Sequence, residues 1–215
     1  MQKPVGPYRR TPESISVESR ALICEAIGPH QFETDEFEIV LRMIQASADL
    51  EYARTTVFTS GAVTTGVSAL RAGTNVVVDV EMVNVGIEHD KLARWGGTSR
   101  CCIRDPEVKE RAAALGTTRA SVGIEKAVDR SDGCIVAIGN APTALLTVID
   151  LITGGRLRPA LVIGMPVGFV LAAESKEALV QLAVPSIVCR GRKGGSAVTV
   201  ATINGLLDLA SRDDS

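Results

Sequence analysis

The chain has 215 residues, 46% of them hydrophobic and only 3% aromatic, with a formal net charge of −2. That suits one α/β domain of ordinary size with an aliphatic core. The near-neutral charge argues against a general nucleic-acid binder, though not against local basic patches.

Five cysteines, an odd number with no CxxC spacing, read as reduced thiols of a cytoplasmic protein and not as a disulfide framework. The opening MQKPVGPYRR has no apolar stretch of the signal-peptide kind. The uncharged run 159–173 is short for a membrane span and is interrupted by Gly164, Pro166 and Gly168.

Residues 1–11 read as an N-terminal arm and 12–211 as a single domain. Helices are expected over 12–27 and 34–47. In the second, Asp35, Glu36 and Glu38 lie near the start, where the helix dipole favours acids. Phe37, Val40, Leu41 and Ile44 mark its buried face at i, i+3, i+4, i+7. An alternation follows. Strand 55–59 precedes helix 62–71, and strand 75–80 precedes a helical stretch over 81–96. A short strand at 101–103 leads to helices 106–115, opened by Pro106, and 121–130. Strand 134–138 and helix 141–153 come next, then strand 161–163 and helix 170–182, then strand 186–189 and helix 197–210. The strands VVVDV, CIVAI and ALVI are nearly continuous apolar runs, the pattern of parallel strands covered on both faces. Repeated βα units of this kind build a three-layer α/β/α domain on a mainly parallel sheet of five or six strands.

Ligands of such sheets bind outside the carboxyl ends of the strands. Three expected strands there run into glycine turns: Gly139-Asn140-Ala141-Pro142-Thr143, Gly164-Met165-Pro166-Val167-Gly168, and Arg190-Gly191-Arg192-Lys193-Gly194-Gly195-Ser196. Each delivers a helix N-terminus, whose free N–H groups favour anions, and the third adds three cations. The implied ligand is anionic. No GxGxxG follows a strand, and the third turn lacks the spacing of a phosphate loop, so a carboxylate-rich ligand fits better than a nucleotide. Arg42, Arg119, Arg190 and Arg192 could each grip a carboxylate. No HxxxH, CxxC or GxSxG is present, so no metal site and no serine nucleophile is expected. To this point the residues describe a binding protein and no particular reaction.

The stretches VVVDVEMVNVGI (76–87), TTRAS (117–121), AIGNAPTALL (137–146), PALVIGMPVGFVLAAESKEAL (159–179) and GRKGGSAVTVATINGL (191–206) together resemble the precorrin-8X methylmutases, also called cobalt-precorrin-8 methylmutases. The likeness runs from about Ile15 to Leu209. It implies a flavodoxin-like fold, a homodimer and a corrinoid tetrapyrrole substrate with carboxylates on its rim. The implied reaction is an isomerisation in cobalamin biosynthesis, moving a methyl group from C11 to C12 by a 1,5-sigmatropic shift. No cofactor is implied, because the migrating group is already on the substrate. Hand-over of product to the next corrin-pathway enzyme is a further expectation.

The resemblance also implies site residues. Arg119 is expected as the main electrostatic contact, with Ser19, Arg42 and Thr118 as substrate contacts. Asn140 and Thr143 are expected to shape the pocket, and Arg192 and Ser196 to meet the substrate from the third turn. Glu174-Ser175-Lys176 matches as well and reads equally as an internal helix-terminus network. Family members protonate the ring with a histidine in a segment of the form R-M-I-H-A. Here that segment is LRMIQASAD, 41–49, and the histidine position holds Gln45, which can donate a hydrogen bond but cannot titrate. By helical spacing Arg42, Gln45 and Asp49 share one face. His30, in a Gly-Pro turn, and His89, in a charged stretch, read as surface histidines. Position 45 leaves three explanations open: a natural variant using glutamine or another donor, a diverged homologue that binds or carries corrinoids without isomerising them, and an engineered substitution that traps a complex. An unrelated small-molecule enzyme of the same fold is the remaining rival to the isomerase reading.

Overall fold

The computed structural model describes residues 11–129 and 131–212, so of the expected arm only Thr11 is described. The first helix, α1 (Pro12–Ile27), begins with Thr11 accepting the Ser14 N–H at 3.2 Å and Pro12 at its first position. The second, α2 (Thr34–Ser47), opens on a reciprocal capping box between Glu33 and Glu36 and stops at Ala48, which turns left-handed at φ 55°. Asp49 is therefore off the helix and does not share a face with Arg42 and Gln45. A single turn, α3 (Tyr52–Thr55), leads into β1 (Thr56–Phe58). Then come α4 (Ala62–Arg71), β2 (Val76–Val78), α5 (Glu81–Asn84), α6 (His89–Arg94) and β3 (Ser99–Arg100). Two helices, α7 (Pro106–Leu115) and α8 (Arg119–Val128), precede β4 (Ile135–Ile138) and α9 (Pro142–Thr153). The chain closes with β5 (Leu161–Gly164), α10 (Ala172–Val180), β6 (Ser186–Cys189) and α11 (Ser196–Ser211).

The six strands lie in the order β1-β6-β5-β4-β2-β3. All neighbours are parallel except β1, which runs antiparallel to β6 at the edge. Without β1, the parallel strands in chain order run 2-1-3-4-5, the flavodoxin-like doubly wound order, with its switch point between β2 and β4. The continuous apolar runs split by alternation. Val76, Val78, Ala137 and Ile163 face one core with α2, α4 and α11. Val77, Val136, Ile138 and Val162 face the other with α8, α9 and α10.

Five expected boundaries are corrected. Helix 121–130 is instead Arg119–Val128, because Thr118 caps it two residues earlier. The stretch 81–96 is two short helices, not one. Asn204 of α11 fills the gap: its amide donates to the Gly86 carbonyl and its oxygen accepts the Glu88 N–H, both at 3.0 Å. The third parallel strand is Ser99–Arg100, not 101–103, because Asn75 fixes the register by accepting from the Thr98 N–H and hydroxyl at 2.9 and 2.8 Å. Strand 75–80 shortens to Val76–Val78, since Asp79 leaves the ladder to bond a neighbouring turn. Helix 170–182 starts only at Ala172, because Leu171 is held left-handed at φ 62°. Among the described residues no helix is long and apolar enough to cross a membrane.

Candidate functional site

At the switch point the first glycine turn already holds an anion, and it belongs to the chain itself. Asp79, 2% exposed at the end of β2, accepts the Gly139, Asn140 and Ala141 N–H groups at 2.9, 2.9 and 2.8 Å. Three successive amides on one carboxylate form an anion nest ahead of α9. Burial pushes the Asp79 carboxyl upward, and the three donors pull it back down. Gly139 is required there: a Cβ would come within 2.6 Å of Val83 Cγ2 and 3.2 Å of Ser196 Cα. The expectation of an anionic ligand on this turn is thus corrected. Asn140 stands exposed at its crest, offering its side chain, not its backbone.

The second and third turns are locked together by a buried lysine. Lys176 of α10 is fully buried and donates to the Pro166 and Lys193 carbonyls at 3.1 and 2.7 Å. Burial lowers its pKa, with the Cys189 thiol 3.9 Å away. Gly195 donates to Met165 O at 2.9 Å, and a Cβ on Gly194 would sit 2.4 Å from that oxygen, so the two turns touch through backbone alone. Tyr52, its pKa pushed up to about 12 by burial, donates to the Gly194 carbonyl at 3.3 Å. Of the two readings of Glu174-Ser175-Lys176, Lys176 follows the internal one. Replacing Lys176 by Met leaves two carbonyls without a donor but also removes a buried charge. The balance is a loss of about 2 kcal/mol. A melting point lowered by roughly 4–8 °C is expected for a chain of this size, and an unchanged melting point would contradict the clamp.

The α11 N-terminus is open. Gly195 caps it without a side chain, and the buried Ser196 Oγ has no hydrogen-bond partner among the described residues. Helix α8 opens beside α9, where Thr118 Oγ1 accepts the Ser121 N–H at 3.1 Å and lies 2.8 Å from Thr143 Oγ1. That contact fixes Arg119, the first residue of α8, on the same rim. The rim's cations divide into two kinds. Arg190 meets Glu177 at 3.3 Å, and Lys193 meets Asp49 and Glu51 at 2.5 and 2.6 Å. Arg119 and Arg192 have no acidic partner among the described residues, and Arg192 lies over the exposed Phe169 ring at 5.5 Å.

Ser19 and Gln45 stand apart from these groups. They share a groove of about 440 Å³ between α1 and α2. Arg42, one turn before Gln45, pairs with Asp208 and reaches Glu88 at 4.0 Å. Asp208 also takes Lys91 at 2.5 Å. Arg42 is thus engaged by α11 and α6 and does not line the groove. His30 is exposed and stacks on Phe37 at 3.7 Å, and His89 is exposed with Nε2 2.9 Å from Asn84 O. Within one chain the structure joins Ser19 with Gln45 in one groove and Thr118 with Thr143 through a hydrogen bond, and it brings neither pair to Arg42. Asp79 went unrecognised in the sequence, although an acid interrupting the apolar run VVVDV was a visible signal.

Comparison with known proteins gives this arrangement a family. The profile described as precorrin-8X methylmutase matches residues 14–209. The chain is 48% identical over 204 residues to a cobalt-precorrin-8 methylmutase of Priestia megaterium, covering 95% of this chain and 91% of that one. It is 38% identical over 205 residues to a precorrin-8X methylmutase of Sinorhizobium, covering 94% and 97%. The crystal structure of a precorrin-8X methylmutase from Thermus thermophilus superposes with a TM-score of 0.84 at 41% identity, over 94% of this chain and 99% of that one. Agreement of sequence and fold along nearly the whole length leaves one conclusion: this chain belongs to the precorrin-8X methylmutase family.

Proposed function

We propose that this chain is an isomerase of corrin biosynthesis, moving a methyl group from C11 to C12 of precorrin-8X or its cobalt form. The observation that carries the reading is the rim itself. Two guanidinium groups without an acidic partner among the described residues stand at helix starts, Arg119 as the first residue of α8 and Arg192 in the turn before α11, whose N-terminus has no side-chain cap and an orphan Ser196 hydroxyl. Such a rim suits several carboxylates arranged around a ring. Thr118, Asn140 and Thr143 shape its floor, and the substrate brings its own migrating group, so the reaction calls for no cofactor.

The separation of Gln45 from Arg119 supports a homodimer. In α1 no residue is buried, and Ile15, Val17 and Leu22 are 52–69% exposed. A second copy covering α1 would bring the groove of Ser19 and Gln45 into a closed site. Gln45 favours one rival, a corrinoid binder without turnover.

An anaerobic absorbance time course with the precorrin-8X substrate separates the two. Slow change of the chromophore without change of mass is expected. A spectral shift on binding that never proceeds to product would favour the binder, and no affinity for the corrinoid would end both readings.

A further inference from the structure

The turn after β5 carries apolar side chains that the rest of the chain leaves bare. Phe169 is 85% exposed and Val170 76%, with Val167 and Leu171 exposed to a lesser degree. Slack does not account for this, because the base of the turn is fixed. Gly168 donates to the Arg192 carbonyl at 3.1 Å, Gly195 donates to Met165 O at 2.9 Å, and Lys176 ties the Pro166 carbonyl to that of Lys193. Leu171, left-handed at φ 62°, keeps Phe169 and Val170 out of α10. The bare run also adjoins groups that favour anions. Val167 lies beside the α11 N-terminus, since a Cβ on Gly195 would meet its Cγ1 at 3.8 Å. The Arg192 guanidinium lies over the Phe169 ring at 5.5 Å and has no acidic partner among the described residues. Bare apolar surface and a guanidinium without a carboxylate thus meet on one fixed turn. They do so at the carboxyl ends of β5 and β6, where ligands of such sheets bind.

We propose that this turn is a seat for the corrinoid macrocycle, with Phe169 against the face of the ring and Arg192, held by Phe169, on a carboxylate of its rim. The inference rests on the isomerase reading above and adds an apolar binding surface to it. A macrocycle with carboxylates around its edge has an apolar face and an anionic border, and the turn offers a partner to each. Covering a phenyl that stands bare in water is favourable and supplies affinity. Phe169 also acts through Arg192. The face of its ring carries negative charge density and attracts the guanidinium. An arginine already held in place loses less side-chain freedom when a carboxylate arrives. A guanidinium can keep its flat face on an aromatic ring while its N–H edge makes a bidentate contact. A second copy of the chain is the rival occupant. The cores of protein–protein contacts are depleted of charge, whereas this patch has an uncompensated arginine and an uncapped helix end within it. A small anionic ligand fits that mixture better.

The test titrates five full-length proteins with precorrin-8X, read by the spectral shift on binding: the parent, Phe169→Leu, Phe169→Ala, Arg192→Gln, and Phe169→Ala with Arg192→Gln. Melting points are expected to match the parent's, because the Phe169 side chain is almost wholly exposed. Phe169→Ala is expected to weaken binding about tenfold, the scale of burying a phenyl group. Phe169→Leu keeps apolar surface but not the ring's charge distribution, and is expected to cost about threefold. In the Arg192→Gln background the Phe169→Ala change is expected to cost only about threefold, because the share that came from holding the guanidinium is already gone. Equal costs in the two backgrounds would overturn the pairing of ring and guanidinium. An affinity unchanged by Phe169→Ala would overturn the seat while leaving the isomerase reading in place. A loss of affinity in step with a fall in sedimentation coefficient would also overturn it, making the turn a contact between copies of the chain. A parent that binds no corrinoid would end the isomerase reading, and the seat with it.

Discussion

Gln45→His is expected to raise the rate of conversion of bound precorrin-8X at pH 7 by about 100-fold, the lower part of the range for general acid catalysis. The gain is large because an imidazole titrates near the working pH and an amide does not titrate. Position 45 also favours the charged form of histidine. It lies in the last turn of α2, whose final carbonyls put negative charge at that end. The replacement is sterically free, since Gln45 is exposed and faces the groove. Affinity is expected to change less than threefold, because either side chain can donate a hydrogen bond to the ring. Single-turnover absorbance of the two proteins side by side measures the effect. A rate equal to the parent's would mean that proton transfer at position 45 does not limit this reaction, and the search for the acid would move to the rim.

The parts of the molecule that could be read from its sequence are those written in local pattern. Continuous apolar runs announced parallel strands because burial on both faces removes the need for alternation. Pro106 marked a helix start because proline costs nothing at that position. What escaped was decided by partners distant in sequence. The ends of α5 and α6 depend on Asn204, more than 100 residues later, and the register of β3 depends on Asn75. Site residues divide in the same way. Thr118 and Thr143 were legible only through the resemblance, and the structure joins them. Arg42 looked like an anion ligand, and it is engaged by Asp208, which no spacing rule connects to it. The glycine turn at 139–143 looked open because its acid lies 60 positions away, just past the end of the neighbouring strand β2.

That acid sets the second large effect. Asp79→Ala is expected to lower the unfolding free energy by about 4 kcal/mol, and Asp79→Asn by about 2 kcal/mol. Alanine leaves the Gly139, Asn140 and Ala141 N–H groups without an acceptor in a site only 2% exposed. Each orphaned donor costs roughly 1–3 kcal/mol, and partial entry of water keeps the sum below the full total. The buried charge lowers the estimate further: enclosing a carboxylate is itself unfavourable, as the upward push on its pKa records, and that penalty vanishes with the side chain. Asparagine keeps one oxygen. That oxygen can serve Asn140 and Ala141, which now share Oδ2, but the new amide then turns its own N–H toward Gly139 and sets donor against donor. One bond is lost and one donor is orphaned, hence the smaller cost. Urea titration of the three proteins gives the order parent, Asn, Ala. Melting points should fall by roughly 2–4 °C per kcal/mol for a chain of this length. The two variants should also bind the corrinoid more weakly, since the same turn carries Asn140 and starts the helix that offers Thr143. An Asp79→Ala protein within about 1 kcal/mol of the parent would mean that the nest is hydrated and that the turn holds its shape through Gly139 packing alone.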